Sequence, residues 1–326
     1  MIEVRDLSRH YGALKAVDQV SFDIGRREIV GLLGHNGAGK TTIMKMLTGF
    51  LEPSRGTIRI AGLDIAATAR QAQQGSRIAP RIQVQRHIGY LPENCPLYPD
   101  MTVLDHLDYQ AALHGISGAA RAKAIRRAVA RTALEAKARA QVATLSRGYR
   151  QRLGVAQAIL HEPDILILDE PTNGLDPSQI HHMRALIREL AEQATVIIST
   201  HILQEVEAIC ERVLIMRAGQ LALDSKLGDL AGAARLLVTL DQPEGAAREA
   251  LAAVDGVTGF APLTATDGHS SGQHSYALGT ADASALAPRI ARLINEKGWS
   301  LYRLEPERHD LEALFKAVSS QEVTHG

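Results

Sequence analysis

Cysteine, surplus charge and long apolar runs are all scarce in this chain of 326 residues. Its two cysteines, Cys95 and Cys210, have no Cys or His nearby at metal-ligand spacing, which argues against a disulfide framework and a thiolate metal site. The 36 basic side chains balance 36 acidic ones, so no surplus charge marks a dedicated nucleic-acid binder. No stretch reaches the roughly 20 consecutive apolar residues of a membrane span, and the start MIEVRDLSRHYG lacks the apolar heart of a signal peptide. The composition predicts a chain that stays in the cytosol.

What the chain does carry is a set of short motifs. The apolar run Ile29 to Leu33 reads as a strand, followed by GHNGAGKTT, Gly34 to Thr42, and a helical run to Leu47. That strand, loop and helix are the setting that the pattern G-x-x-x-x-G-K-[ST] requires. Gly34, Gly37 and Gly39 permit unusual backbone angles and close approach, so N–H groups along Asn36, Ala38 and Thr42 can converge on phosphate oxygens at a helix N-terminus. Lys40 is then placed to reach the β- and γ-phosphates of a nucleotide, and the Thr41 hydroxyl to ligate Mg²⁺.

Ile165 to Leu168 is too short and too apolar for anything but a buried parallel strand, and it ends in Asp169-Glu170. Carboxylates at that end of a strand face the ligand crevice of an open α/β sheet. Asp169 is predicted to hold Mg²⁺, and Glu170 to orient or deprotonate an attacking water. A second apolar strand, Thr195 to Ser199, delivers His201 to the same edge, where an imidazole can hydrogen-bond the γ-phosphate.

With LSRGY at Leu145 to Tyr149 and ILILDEPTNGLDP at Ile165 to Pro177, the ordered motifs resemble the ATP-binding subunits of ABC transporters over about Met1 to Asp224. The resemblance implies that Tyr11 stacks on adenine, that Ser146 and Gly148 contact the γ-phosphate of an ATP held by a second subunit, and that Asp176 lies between the two sites. The active unit is then a head-to-tail dimer on the cytoplasmic face of a membrane, driving separate permease subunits. Ser146 opening a helix with a bare first turn at Gly148 agrees with a second anion-binding helix end. Glu93, in HIGYLPEN, departs from the family's usual Gln: a carboxylate stands where an amide normally approaches Mg²⁺. Glu93 is read as a metal-side residue and, with Tyr149-Arg150, as a mark of export-type members resembling drug, gliding-motility and copper-site-maturation ATPases. An importer, or a non-transport ATPase acting on ribosome or DNA, is the alternative. Neither a second ATPase unit nor a long coiled-coil arm, with which such members are built, is present.

The predicted fold is α/β: a nucleotide-binding domain over 1–224 with a mostly parallel sheet and a helical subdomain at about 95–163, then an α+β domain over 225–326. In the helical part, Thr102 caps a helix to His114 with Gly115 as its stop. Ala119 to Ala140 reads as one Ala- and Arg-rich helix whose Arg121, Lys123, Arg126, Arg127, Arg131, Lys137 and Arg139 face a single acid, Glu135. That surface is either a solvated face or a basic face toward lipid headgroups or an acidic permease loop. The segment Ala66 to Arg86 is basic and reads as surface-loop variation. From Leu236 the order is βαββαβ with a final helix at Asp310 to Val318, a ferredoxin-like arrangement. His269 and His274 in its polar turn read as solvent-facing.

Overall fold

A computed structural model describes residues 1–65, 80–230, 235–263, 272–306 and 315. β1 (Ile2–Tyr11) and β2 (Leu14–Ile24) pair antiparallel, and their turn passes through Gly12 at φ +59°. Along β1 only part of the strand is buried, with Ile2, Val4 and Leu7 inside. β4 (Arg55–Ile60) and β5 (Leu63–Asp64) complete a separate sheet in the order β2-β1-β4-β5. This antiparallel sheet, which the sequence did not announce, stands beside the expected mostly parallel one. Strands with a wet side suit an antiparallel sheet, whereas a parallel sheet needs both faces covered.

The parallel sheet takes the runs that have no exposed position. β3 (Ile29–Leu33), β7 (Ile165–Asp169) and β8 (Thr195–Thr200) are buried at every residue. With β6 (Ile88–Leu91) and β9 (Arg212–Arg217) they run parallel in the order β9-β3-β8-β7-β6, and β10 (Gln220–Lys226) adds antiparallel beside β9. Ile43, Met44 and Leu47 of the helix Lys40–Leu47 pack with Val30, Leu32 and Ile167 in one core. Leu153, Ile159, Ile187 and Leu190 pack with Leu166, Leu168, Val196 and Ile198 in another. Each such side chain contributes about 1.5–3 kcal/mol on burial, which holds the loops at the C-terminal ends of β3, β7 and β8 on a rigid base.

Between β6 and β7 the chain is helical. Val103–Leu113 starts from a capping box in which the Thr102 hydroxyl accepts from Asp105 N–H, and it stops at His114 before Gly115 at φ +74°. The next helix covers Gly118–Arg131 only, so the expected helix to Ala140 is corrected. The Thr132 hydroxyl turns back to the Ala128 carbonyl at 2.7 Å, Ala133 takes φ +51°, and Leu134 is fully buried. A back-bonded Thr and a left-handed residue stop a helix that composition alone would have continued. A short 3-10 turn, Glu135–Lys137, follows. The single-acid surface is corrected too: Arg121, Arg127 and Arg131 pair with Asp108, Glu162 and Glu189 from other elements. Lys123, Arg126 and Arg139 remain exposed.

Residues Gly228–Ala313 form a second unit, separate from Met1–Leu227. Its strands β11 (Arg235–Leu240), β12 (Gly259–Leu263), β13 (His274–Gly279) and β14 (Leu301–Pro306) are antiparallel in the order β12-β13-β11-β14. Helices Glu244–Leu251 and Ala283–Glu296 follow β11 and β13, and Leu236, Val238, Leu240, Tyr276, Leu278 and Ile290 fill the core. That order and helix placement are those of a split-βαβ, ferredoxin-like unit. Apart from Phe315, the final helix expected at Asp310 to Val318 lies outside the described residues, as do His269 and most of Ala66 to Arg86. Phe315 groups with the first unit, its ring 4.9 Å from that of His35.

Candidate functional site

A cavity of about 420 Å³ opens at the C-terminal ends of β3, β7 and β8. Tyr11, Asn36, Gly37, Gly39, Lys40, Thr41, Thr42, Glu93, Asp169, Glu170 and His201 line it, together with Leu14, Ala16, Asn173 and Ser199, which sequence reasoning missed. Gly34 and Ala38 support the loop from behind: the Gly34 carbonyl accepts from Lys40 Nζ at 2.6 Å, and Ala38 is buried. Gly39 caps the helix Lys40–Leu47 at φ +104°, and a Cβ there would meet the Ala16 carbonyl oxygen at 2.6 Å. Glycine is therefore required by both angle and space. Lys40 Nζ also donates to the His35 carbonyl at 3.2 Å, so the lysine folds back over its own loop. Burial lowers its pKa, and the nearby carboxylates of Glu170, Asp169 and Glu93 oppose that pull.

The two carboxylates after β7 differ. Asp169 is almost wholly buried; its Oδ1 accepts from Ser199 Oγ at 2.7 Å, while Oδ2 is buried with no protein partner. A buried anionic oxygen left unpaired is costly, and a hard divalent cation is the partner that such an oxygen suits. Thr41 and Glu93 line the same cavity and supply further oxygen donors. The residues present therefore fit Mg²⁺. Glu170 takes φ +50°, its N–H held by the Ser199 carbonyl at 3.0 Å. Its carboxylate oxygens both lie 3.0 Å from His201 Nδ1, which joins the strand ends of β7 and β8. On the other side of the cavity Tyr11 is 48% exposed, with the Arg9 guanidinium 4.7 Å from its ring centroid, so a ring face remains for a base.

Ser146, Gly148 and Asp176 do not line this cavity; the structure gathers them elsewhere. Ser146 caps the helix Arg147–Ile159, and Asp176 caps Pro177–Ala191 through a capping box with Gln179. A Cβ at Gly148 would stand 2.6 Å from the Gln179 side chain, so the two helix starts touch through glycine. Two exposed helix N-termini with capping oxygens thus lie side by side, away from the chain's own phosphate loop.

The ABC transporter family model matches residues 17–173. The uncharacterized ABC transporter ATP-binding protein YdbJ of Bacillus subtilis is 36% identical over 229 residues, 70% of each chain. The Nod factor export ATP-binding protein I of Burkholderia orbicola is 37% identical over 220 residues, 67% of this chain and 68% of that one. A solved structure of the ATP-binding subunit of an ABC transporter superposes with a TM-score of 0.62 and 33% identity, covering 71% of this chain and 92% of the other. The chain belongs to the ABC transporter ATP-binding proteins. As such a subunit it binds ATP and hydrolyses it to drive transport. Among the described residues no helix is long and apolar enough to cross a membrane.

Proposed function

We propose that the cavity is the ATP site and that its residues divide the work of hydrolysis as their contacts suggest. The main-chain N–H groups of Gly34 to Thr42 cradle the phosphates, Lys40 leaves its loop carbonyls for the β- and γ-phosphate oxygens, and adenine lies on Tyr11. Glu170 accepts the proton of the attacking water and His201 keeps that carboxylate aimed at the γ-phosphate. Thr41 and Asp169, with Glu93 at the loop after β6, hold Mg²⁺, which when bound neutralises phosphate charge. The observation that carries this reading is Asp169 Oδ2, buried and unpartnered beside the Glu170–His201 pair. Calorimetry of ATP binding with and without Mg²⁺ tests it: Asp169→Ala should abolish the Mg²⁺ enhancement, and unchanged enhancement would defeat it.

Glu93 gives a sharper prediction, because a third carboxylate near Lys40 both attracts a cation and repels the triphosphate. Glu93→Gln should retain substantial hydrolysis, whereas Glu93→Ala should shift the Mg²⁺ dependence of the rate to higher concentration. Superimposable rate curves for the wild type and Glu93→Ala, with and without the membrane partner, would leave Glu93 no role.

The same reading places this subunit on the cytoplasmic face of a membrane, as one half of a head-to-tail dimer with separate permease subunits. A groove of about 860 Å³ between the parallel sheet and the helical part supports a permease contact; Phe50, Tyr90, Pro92, Leu113, His114 and His161 line it. Phe50 and Leu113 are 68% and 65% exposed, which leaves an apolar surface uncovered. The His114 and His161 rings stack at 4.0 Å, and burial pulls the His161 pKa down to about 4, so that ring is neutral near pH 7. Leu113→Glu should abolish co-purification with the permease and leave ATP hydrolysis by the isolated chain unchanged. Retained co-purification would move the permease contact elsewhere. Export is the favoured direction, supported by Glu93, Tyr149-Arg150 and the relative named for Nod factor export. Inverted vesicles given ATP and substrate outside report the direction directly, since inward accumulation of substrate there means export from the cell.

A further inference from the structure

Ser199 is fully buried near the C-terminal end of β8, and none of the recognised motifs includes it. In the parallel β7/β8 ladder it stands directly opposite Asp169. Its hydroxyl donates to Asp169 Oδ1 at 2.7 Å, while its carbonyl accepts from the Glu170 N–H at 3.0 Å. A single residue thus secures the side chain of one carboxylate and the backbone of the next.

The two bonds are separable. Any residue at 199 offers the carbonyl, so the left-handed backbone of Glu170 survives a side-chain change; only a hydroxyl offers the donor to Asp169. The terminal torsion of an aspartate is broad, so the plane of an unanchored carboxylate swings and holds neither oxygen fixed toward a ligand. Anchored, Asp169 has Oδ1 occupied and only Oδ2 free, and Oδ2 is the buried atom without a protein partner. The neighbouring hydroxyl of Thr200 does not duplicate this contact, because it bonds to Glu205 at 3.1 Å.

From these contacts we infer that Ser199 is a positioning residue whose hydroxyl locks the Asp169 carboxylate so that Oδ2 alone faces the divalent cation of the nucleotide complex. This rests on the reading of Asp169 as a metal-holding residue. Groups that orient metal ligands from behind typically change metal affinity about 10- to 100-fold when removed. Alanine leaves the backbone and the rest of the cavity in place, so the loss should fall on the metal and not on the nucleotide.

The test compares full-length wild type, Ser199→Ala and Asp169→Ala. Mn²⁺ binding to each chain with ADP is followed by electron paramagnetic resonance, and binding of a fluorescent ATP analogue is measured without metal. Ser199→Ala should weaken Mn²⁺ binding about 10-fold and leave metal-free nucleotide binding unchanged, with a lower melting temperature because the buried Asp169 Oδ1 loses its donor. Wild-type Mn²⁺ affinity in Ser199→Ala, with a loss in Asp169→Ala, would overturn the role of Ser199 alone. Unchanged affinity in both would overturn the metal reading of Asp169 and this inference with it. An equal fall in metal-free nucleotide binding in Ser199→Ala would assign Ser199 to packing of the whole site and likewise overturn the inference.

Discussion

Glu170→Gln should bind ATP as the wild type does and turn it over about 10²- to 10⁴-fold more slowly, the usual worth of a positioned general base. The replacement changes charge and basicity and little else. Glu170 is largely buried, its φ of +50° is held by the backbone bond to Ser199, and an amide of the same shape can still meet His201 Nδ1. Binding should survive because the phosphate loop and Lys40 are untouched. Removing one negative charge beside Lys40 also strengthens the net attraction of the site for a triphosphate. The variant should therefore accumulate in an ATP-bound, associated form that size-exclusion chromatography resolves from the nucleotide-free chain. Near-normal hydrolysis would remove Glu170 from the base role and point to water activation by the phosphate itself, with His201 as the remaining contact.

How far this site was legible in the sequence depends on whether a residue's partner is near in sequence or near only in space. The phosphate loop is local: the strand Ile29–Leu33, the glycines and Lys40 lie within one continuous stretch, and the structure keeps the strand's bounds as read. The placement of Asp169, Glu170 and His201 was legible because the first ends an all-buried strand and the other two each follow one, and parallel strands of one sheet deliver their C-terminal ends to one edge. Ser199 was not, since its role needs the β7/β8 neighbourhood and register, which no short window contains. The end of the helix Gly118–Arg131 escaped for a related reason. Ala and Arg are good helix formers, and what stops the helix is the fully buried Leu134 and the back-bond of Thr132, both set by packing. The acidic partners Asp108, Glu162 and Glu189 of the helical arginines come from other elements and were invisible to charge counting along one segment. The antiparallel sheet of β1, β2, β4 and β5 was not foreseen because strand propensity is blind to which sheet a strand joins.

The placement of Ser146 leads to the second large effect. Ser146→Arg should leave ATP binding by a single chain intact and lower hydrolysis about 10²- to 10³-fold, the loss expected when a donor to developing phosphate charge is removed. Both halves follow from position. Ser146 is absent from the lining of the chain's own cavity, so a bulky guanidinium there meets no nucleotide held by Lys40 of the same chain. It does cap the helix Arg147–Ile159, beside the start of Pro177–Ala191 with its cap Asp176, and that paired surface is the one a second chain's γ-phosphate would meet. Arginine at the cap also costs roughly 0.5–2 kcal/mol of helix stability, so the melting temperature must be measured alongside. Mixing Ser146→Arg chains with Lys40→Ala chains then separates action across the interface from local damage. Each mixed dimer holds one site built from intact Lys40 and intact Ser146, and one site damaged on both sides. ATP-dependent crosslinking across the interface should appear in the mixture and in neither parent. If Ser146→Arg chains instead lose ATP binding while still monomeric, the serine acts on its own chain's site and the head-to-tail arrangement falls.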